Sequence, residues 1–174
     1  MRTFLIAILA LCAFQTSNAQ IEEGNILVSL GVGLSPTFYS GNGYESSTPP
    51  IEIAGEYAFT EDITGGIFAG YASAEFRNSG FGYDYTYTLF GAVGNYHFVN
   101  EESFNVYAGA KLGYVSISSE SVGNNNGFNF SAEASGLLYG GQLGARYWFS
   151  DAIAVNAELG YGVSIFKAGV SFKF

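Results

Sequence analysis

The chain has 174 residues, with six Lys and Arg against fifteen Asp and Glu, and only 12% of it is charged. The acidic excess argues against a nucleic-acid partner. The scarcity of charge is unlike a typical soluble domain, where about a quarter of residues are charged. Aromatics make up 17% and glycines number 24, a composition for strands and close packing.

Residues 1–19 read as an export leader. Arg2 supplies the positive start, Phe4 to Leu11 the apolar stretch, and Ser17-Asn18-Ala19 the small residues before a cleavage point. The apolar stretch is too short to span a bilayer as a helix. Cleavage after Ala19 leaves a single domain over residues 20–174. Cys12 goes with the leader, so the mature chain has no disulfide and no Cys-based metal site. Leu11 is too large for a lipid-attachment motif at Cys12.

Eight strand-like runs follow, at about 24–39, 51–59, 63–76, 83–98, 104–118, 136–149, 152–161 and 165–174. Several reach the nine to eleven residues that a tilted strand needs to cross a bilayer. Period two divides each run into an apolar and a polar face. In the second, Ile51, Ile53, Gly55, Tyr57 and Phe59 oppose Glu52 and Glu56. In the fifth, Phe104, Val106 and Leu112 oppose Asn105, Tyr107 and Lys111. The sixth sets Leu137, Tyr139, Leu143, Tyr147 and Phe149 against Gln142 and Arg146. The seventh and eighth set Ile153, Val155, Leu159, Phe166, Val170, Phe172 and Phe174 against Glu158 and Lys167. In the fourth, Tyr83, Tyr85 and Tyr87 fall on the polar-side register, which predicts a bulge or an aromatic-lined outer end.

Glu52, Glu56 and Glu158 therefore share the polar faces with Lys111, Arg146 and Lys167, three of each sign. Eight strands close into a barrel whose interior is just wide enough for side chains. Inside it these six are expected to pair, because an unpaired buried ion costs several kcal/mol.

The connections alternate in character. Thr60-Glu61-Asp62, Val99 to Ser103 and Ser150-Asp151 are tight and acidic, whereas 40–50, 77–82 and 119–135 are longer and rich in Gly, Asn and Ser. That is the layout of an outer-membrane barrel, with short periplasmic turns and longer outer loops. Loops 40–50 and 119–135 are the candidate ligand-facing surfaces. Their aromatics Tyr44, Phe128 and Phe130 are read first as members of an upper girdle. Tyr57/Phe59, Tyr96/Phe98, Tyr147/Phe149 and Phe172/Phe174 all fall beside short turns or at the chain end, as an aromatic girdle at the periplasmic interface.

No constellation for chemistry emerges. His97 is the sole histidine and lies at the short-turn rim, where a structural role is expected. The Gly31-Val32-Gly33 and Gly160-Tyr161-Gly162 triplets lack the strand–loop–helix context and the Lys of a phosphate loop. No cofactor, metal or catalytic residue is assigned.

The leader, the eight alternating runs, the tight acidic turns and terminal Phe174 resemble the small outer-membrane β-barrel family, of the OmpX-like and OmpA transmembrane-domain type. The resemblance implies an eight-stranded antiparallel up-and-down transmembrane barrel in the outer membrane of a Gram-negative bacterium, a monomer in contact with outer-membrane lipid. It implies that Phe166, Ala168, Val170, Phe172 and Phe174 carry a signal for the barrel-assembly machinery. The expected function is non-enzymatic: a structural or surface-interaction role with loops presented outward. A narrow pore for ions or small solutes is the alternative.

Overall fold

A computed structural model describes residues 20–38, 43–78, 81–123 and 131–174. The expected leader, residues 1–19, lies outside the described residues, as do 39–42 and 124–130. Eight strands follow one another around a closed barrel: β1 Ile26–Pro36, β2 Tyr44–Ala58, β3 Ile63–Asn78, β4 Phe81–Asn100, β5 Phe104–Gly123, β6 Ser131–Ser150, β7 Ile153–Gly160 and β8 Ser164–Lys173. Every neighbouring pair is antiparallel, including β1 with β8. This is the expected fold class.

Following cross-strand partners once round from Phe104, through Tyr147, Val155, Val170, Leu30, Ile53, Ala69 and Phe90, returns to β5 at Tyr114, ten residues further on. A stagger of that size over eight strands tilts them by about 40°. Each residue then adds roughly 2.5 Å of height. The outward face carries Ile53, Ile67, Phe90, Leu112, Leu143, Val155 and Leu159, all exposed. This belt runs from Phe104 up to Tyr114 and Leu137, roughly the 25 Å of an outer-membrane barrel's apolar band.

Short turns are built by side chains. The Thr60 hydroxyl accepts hydrogen bonds from the backbone N–H of Asp62 (3.2 Å) and Ile63 (3.1 Å), and the Ser150 hydroxyl accepts one from Ile153 (3.1 Å). At the other end the strands outrun the expectation. Residues 44–50, 119–123 and 131–135, expected in loops, belong to β2, β5 and β6. Pro49 and Pro50 made the first of these look like a loop. They sit in β2 beyond Val32↔Ile51, where β1 pairing has ended, and beside a register shift against β3. An edge strand tolerates proline there.

The result is lopsided. β4, β5 and β6 each have 20 residues, whereas β7 has 8 and β8 has 10. A wall from β2 to β6 therefore rises about 15–20 Å above the belt. Among the described residues its β6 edge has no further strand partner: pairing with β7 runs only from Gln142 to Ser150.

Candidate functional site

Two places gather functional side chains, the lumen and the raised wall. Glu52, Glu56, Lys111, Arg146, Glu158 and Lys167 are all buried inside the barrel. They form two layers. In the upper layer Lys111 Nζ lies 2.5 Å from Glu52 Oε1 and 3.8 Å from Glu158 Oε2. Lys167 pairs with Glu52 and, at 2.7 Å, with Glu158 Oε2. The Tyr107 hydroxyl donates to Glu158 Oε1 at 2.7 Å.

In the lower layer Arg146 Nη2 lies 2.7 Å from Glu56 Oε1. Thr64 and Asn95 donate to Glu56 Oε2 at 2.5 and 2.6 Å, and Gln142 donates to Asn95 Oδ1 at 2.6 Å. Tyr107 links the layers, because the Arg146 guanidinium lies over its ring, 4.4 Å from the centroid. That ring lies against Gly144, where a Cβ would overlap its Cζ, hydroxyl and Cε2. Glycine at this position gives the large ring its room.

His97 is fully buried in the lower layer. Its Nε2 lies 2.9 Å from Thr64 Oγ1 and its Nδ1 2.9 Å from Asn105 Oδ1. Asn105 in turn donates to the carbonyl of Val99 at 2.9 Å. The imidazole ties β4 to β3 and β5 and faces the sealed interior. Its two ring nitrogens are taken up by Thr64 and Asn105, so neither is directed at a serine nucleophile, as a triad needs.

Apolar plugs close the lumen at both ends. At the short-turn rim Ile21, Leu27, Ala58, Trp148 and Ala154 pack together. Ile21 precedes the first strand and is held there by Asn100, which accepts from its N–H (3.1 Å) and donates to its carbonyl (2.9 Å). Towards the wall Phe68, Leu89, Val93, Val115, Leu138, Tyr87 and Val163 form the second plug. Val163 lies in the β7–β8 turn and folds inward. Alternation inside strands revealed the charges, but Ile21 and Val163 lie outside strands. Their only signal was an apolar side chain in a turn or tail.

Above the upper plug β4 keeps one unbroken register against β5 from Phe81 to His97. Tyr83, Tyr85 and Tyr87 therefore line the inner face of the wall, and the bulge reading for this stretch is not needed. Ring centroids in the series are 6.3 and 6.4 Å apart. Tyr44 joins them, 5.0 Å from Phe76 and 6.0 Å from Tyr85. Its place is this inner face, which corrects its reading as a member of an outward girdle. Phe128 and Phe130 lie outside the described residues.

On the outer face Glu45, Glu75, Asp84 and Glu120 stand opposite one another across β2 to β5. Like charges directly opposite repel. Arg77 partly neutralises the row, 2.8 Å from Glu75 and 2.7 Å from Asp84.

At the short-turn rim Tyr57, Phe59, Tyr96, Phe98, Tyr147, Phe172 and Phe174 are exposed on the outer face. Phe149 is half-buried, beside the shift in β6–β7 register between Trp148 and Ser150. Among the described residues no group of His, Cys, Asp and Glu is arranged to hold a metal ion.

The profile of the family described as "Outer membrane protein beta-barrel domain" matches residues 4–174. A search of curated proteins finds no match. Solved structures of similar fold include OprG from Pseudomonas aeruginosa (13% identity, TM-score 0.60, covering 88% of this chain and 97% of that one). The N-terminal β-barrel domain of Pseudomonas aeruginosa OprF matches at 15% identity and TM-score 0.57, covering 88% and 100%. Ail of Yersinia pestis, bound to the heparin analogue sucrose octasulfate, matches at 17% identity and TM-score 0.52, covering 87% and 99%. At these identities the likeness is one of fold.

Proposed function

Because the chain belongs to the outer membrane protein β-barrel family, we propose that it is a non-enzymatic barrel whose membrane-embedded base carries a surface-interaction wall. The observation that carries this reading is the wall. β2 to β6 continue well above the apolar belt, and β6 runs from Ser131 to Gly141 without a strand partner on its β7 side among the described residues. A purely structural plug in the bilayer has no use for such an extension. Exposed sheet edges and concave aromatic faces are surfaces on which partners dock.

In this reading the leader is cleaved after Ala19 and the short turns face the periplasm. The aromatic rim from Tyr57 to Phe174 lies at the inner interface, and the terminal alternation ending at Phe174 serves the assembly machinery. The wall, which includes residues 44–50, 119–123 and 131–135, then faces the outside. The protein works as a monomer, with no cofactor. A narrow pore would require both apolar plugs to move aside.

The test uses outer-membrane vesicles bearing the protein, scored for adhesion to extracellular-matrix proteins, glycans and whole cells. Adhesion lost in a Glu133→Pro variant, whose barrel still shows heat-modifiable gel migration, supports the wall. Equal adhesion with and without the protein, together with single-channel conductance in planar bilayers, would replace this reading by the pore.

A further inference from the structure

The barrel is a complete ring only as far as Gly141. There the backbone N–H of Tyr161 donates to the Gly141 carbonyl at 3.0 Å. Above this rung β7 turns into β8, and β6 continues paired with β5 but with no strand partner on its β7 side among the described residues. In an antiparallel ladder every second residue turns its N–H and C=O to the same side. Gly141 faces the β7 side, so Tyr139 and Leu137 do too. Their side chains stand on the belt's upper margin and are 73% and 69% exposed. Backbone donors and acceptors with no strand partner among the described residues thus lie beside lipid-facing apolar side chains.

Behind them opens a cleft of about 470 Å³, lined by Phe38, Val115, Leu137, Leu138, Tyr139 and Tyr161. Leu137 and Tyr139 belong to the outer surface, whereas Val115 and Leu138 belong to the upper plug. The cleft therefore passes from the lipid face through the wall of the barrel. Phe38 closes its inner side, stacked on Tyr87 at 5.5 Å and edge-on to Tyr161 at 6.3 Å. Gly140 lets the turn come close, since a Cβ there would lie 2.7 Å from Tyr161 Cβ.

Two demands meet in this cleft. Its apolar walls favour hydrocarbon over water. Its backbone groups need partners at a depth where the surroundings offer few. A hydrocarbon chain meets the first demand alone. The N–H and C=O of one residue are complemented by a group that carries both an acceptor and a donor, as a further strand would. A carboxylate offers an acceptor but no donor, so it meets only half of the second demand. The cleft is continuous with the lipid-facing belt, so its occupant arrives sideways from the outer leaflet. Its volume lies at the small end of the range for ligand sites and suits one chain.

We propose that the cleft between β6 and the β7–β8 turn binds a single-chain N-acyl amino amide, its alkyl chain against Val115, Leu138 and Phe38 and the N–H and C=O of its amino-acid unit on the backbone edge at Leu137 and Tyr139. The protein is refolded into phosphatidylcholine nanodiscs with labelled methyl groups and titrated with N-dodecanoyl glycinamide, dodecanoic acid or dodecane. The amide gives saturable shifts of the Val115 and Leu138 methyls and of the Leu137 and Tyr139 amide protons. The methyls of Ile53 and Ile67, on the far lipid face, respond without saturating.

Gly136→Leu adds a side chain above Leu138 where a Cβ meets nothing within 4 Å, so the fold is retained. This variant, and Leu138→Trp as a second filling, weaken binding at least tenfold. Tighter binding of dodecanoic acid, unsaturable shifts, or unchanged affinity in folded Gly136→Leu protein would overturn the proposal. Each outcome is independent of whether the wall mediates adhesion.

Discussion

Below Gly141 and above it, the same strands obey different rules. In the lower region every strand has two neighbours, and opposite charges meet across the lumen, as Glu52 does with Lys111 and Lys167. In the upper region β6 has no strand partner on its β7 side among the described residues, and Glu45, Glu75, Asp84 and Glu120 face one another with Arg77 between two of them. Burial explains the difference. An unpaired charge inside the barrel is costly, so the lumen is selected for pairing. Water screens the wall, so a row of like charges there costs little and leaves the surface free for contact.

The sharpest way to break this contrast is to unpair a lumen charge. Arg146→Ala leaves Glu56 buried without its cation and should destabilise the barrel by about 3–5 kcal/mol, read as a lower urea midpoint in liposomes. Replacing both partners, as Arg146→Met with Glu56→Leu, should recover most of that loss. An equal loss in the double variant would mean that packing around Arg146, including its place over Tyr107, outweighs the ion pair.

The plugs come next. Leu138→Ala should cost about 2–5 kcal/mol, and Ile21→Ala at the other end less, because Ile21 lies on a tail outside the strands. Only a variant that loosens both plugs is expected to conduct in planar bilayers. Conductance from either single change would show that one plug alone does the sealing.

On the bare edge, Glu133→Pro and Ala134→Pro separate the two sides of β6. By the alternation that places Gly141 towards β7, Glu133 turns its N–H to the open side and Ala134 towards β5. The first should be nearly neutral, as proline is on an edge. The second removes a ladder bond and should cost about 1–3 kcal/mol. Equal costs would mean that the edge is covered. Smallest of all, Glu120→Gln should raise the thermal midpoint slightly by relieving the repulsion with Asp84, and high salt should erase the gain.

Much of the lower region was legible in the sequence. A residue's parity along a strand decides its face, and a slip by one would have put Arg146 and Glu158 in lipid. The six lumen charges and most of the aromatic rim follow from that rule. The wall was less legible. Pro49-Pro50 and the Ser- and Gly-rich stretches near 119–135 carry loop composition, yet their described residues are strands because neighbouring strands extend alongside them. Phe149 shows the same limit on a smaller scale, since a register shift next to it cannot be read from its own segment.

By itself the sequence determined the strand count, the faces and the sign of each buried charge, because all three depend on a local period of two. Tertiary structure alone decided which charges meet, that Ile21 and Val163 seal the ends, and that β6 outlives its partner. Those outcomes depend on the stagger with which eight strands of unequal length close. Closure is a property of the ring and of no single segment.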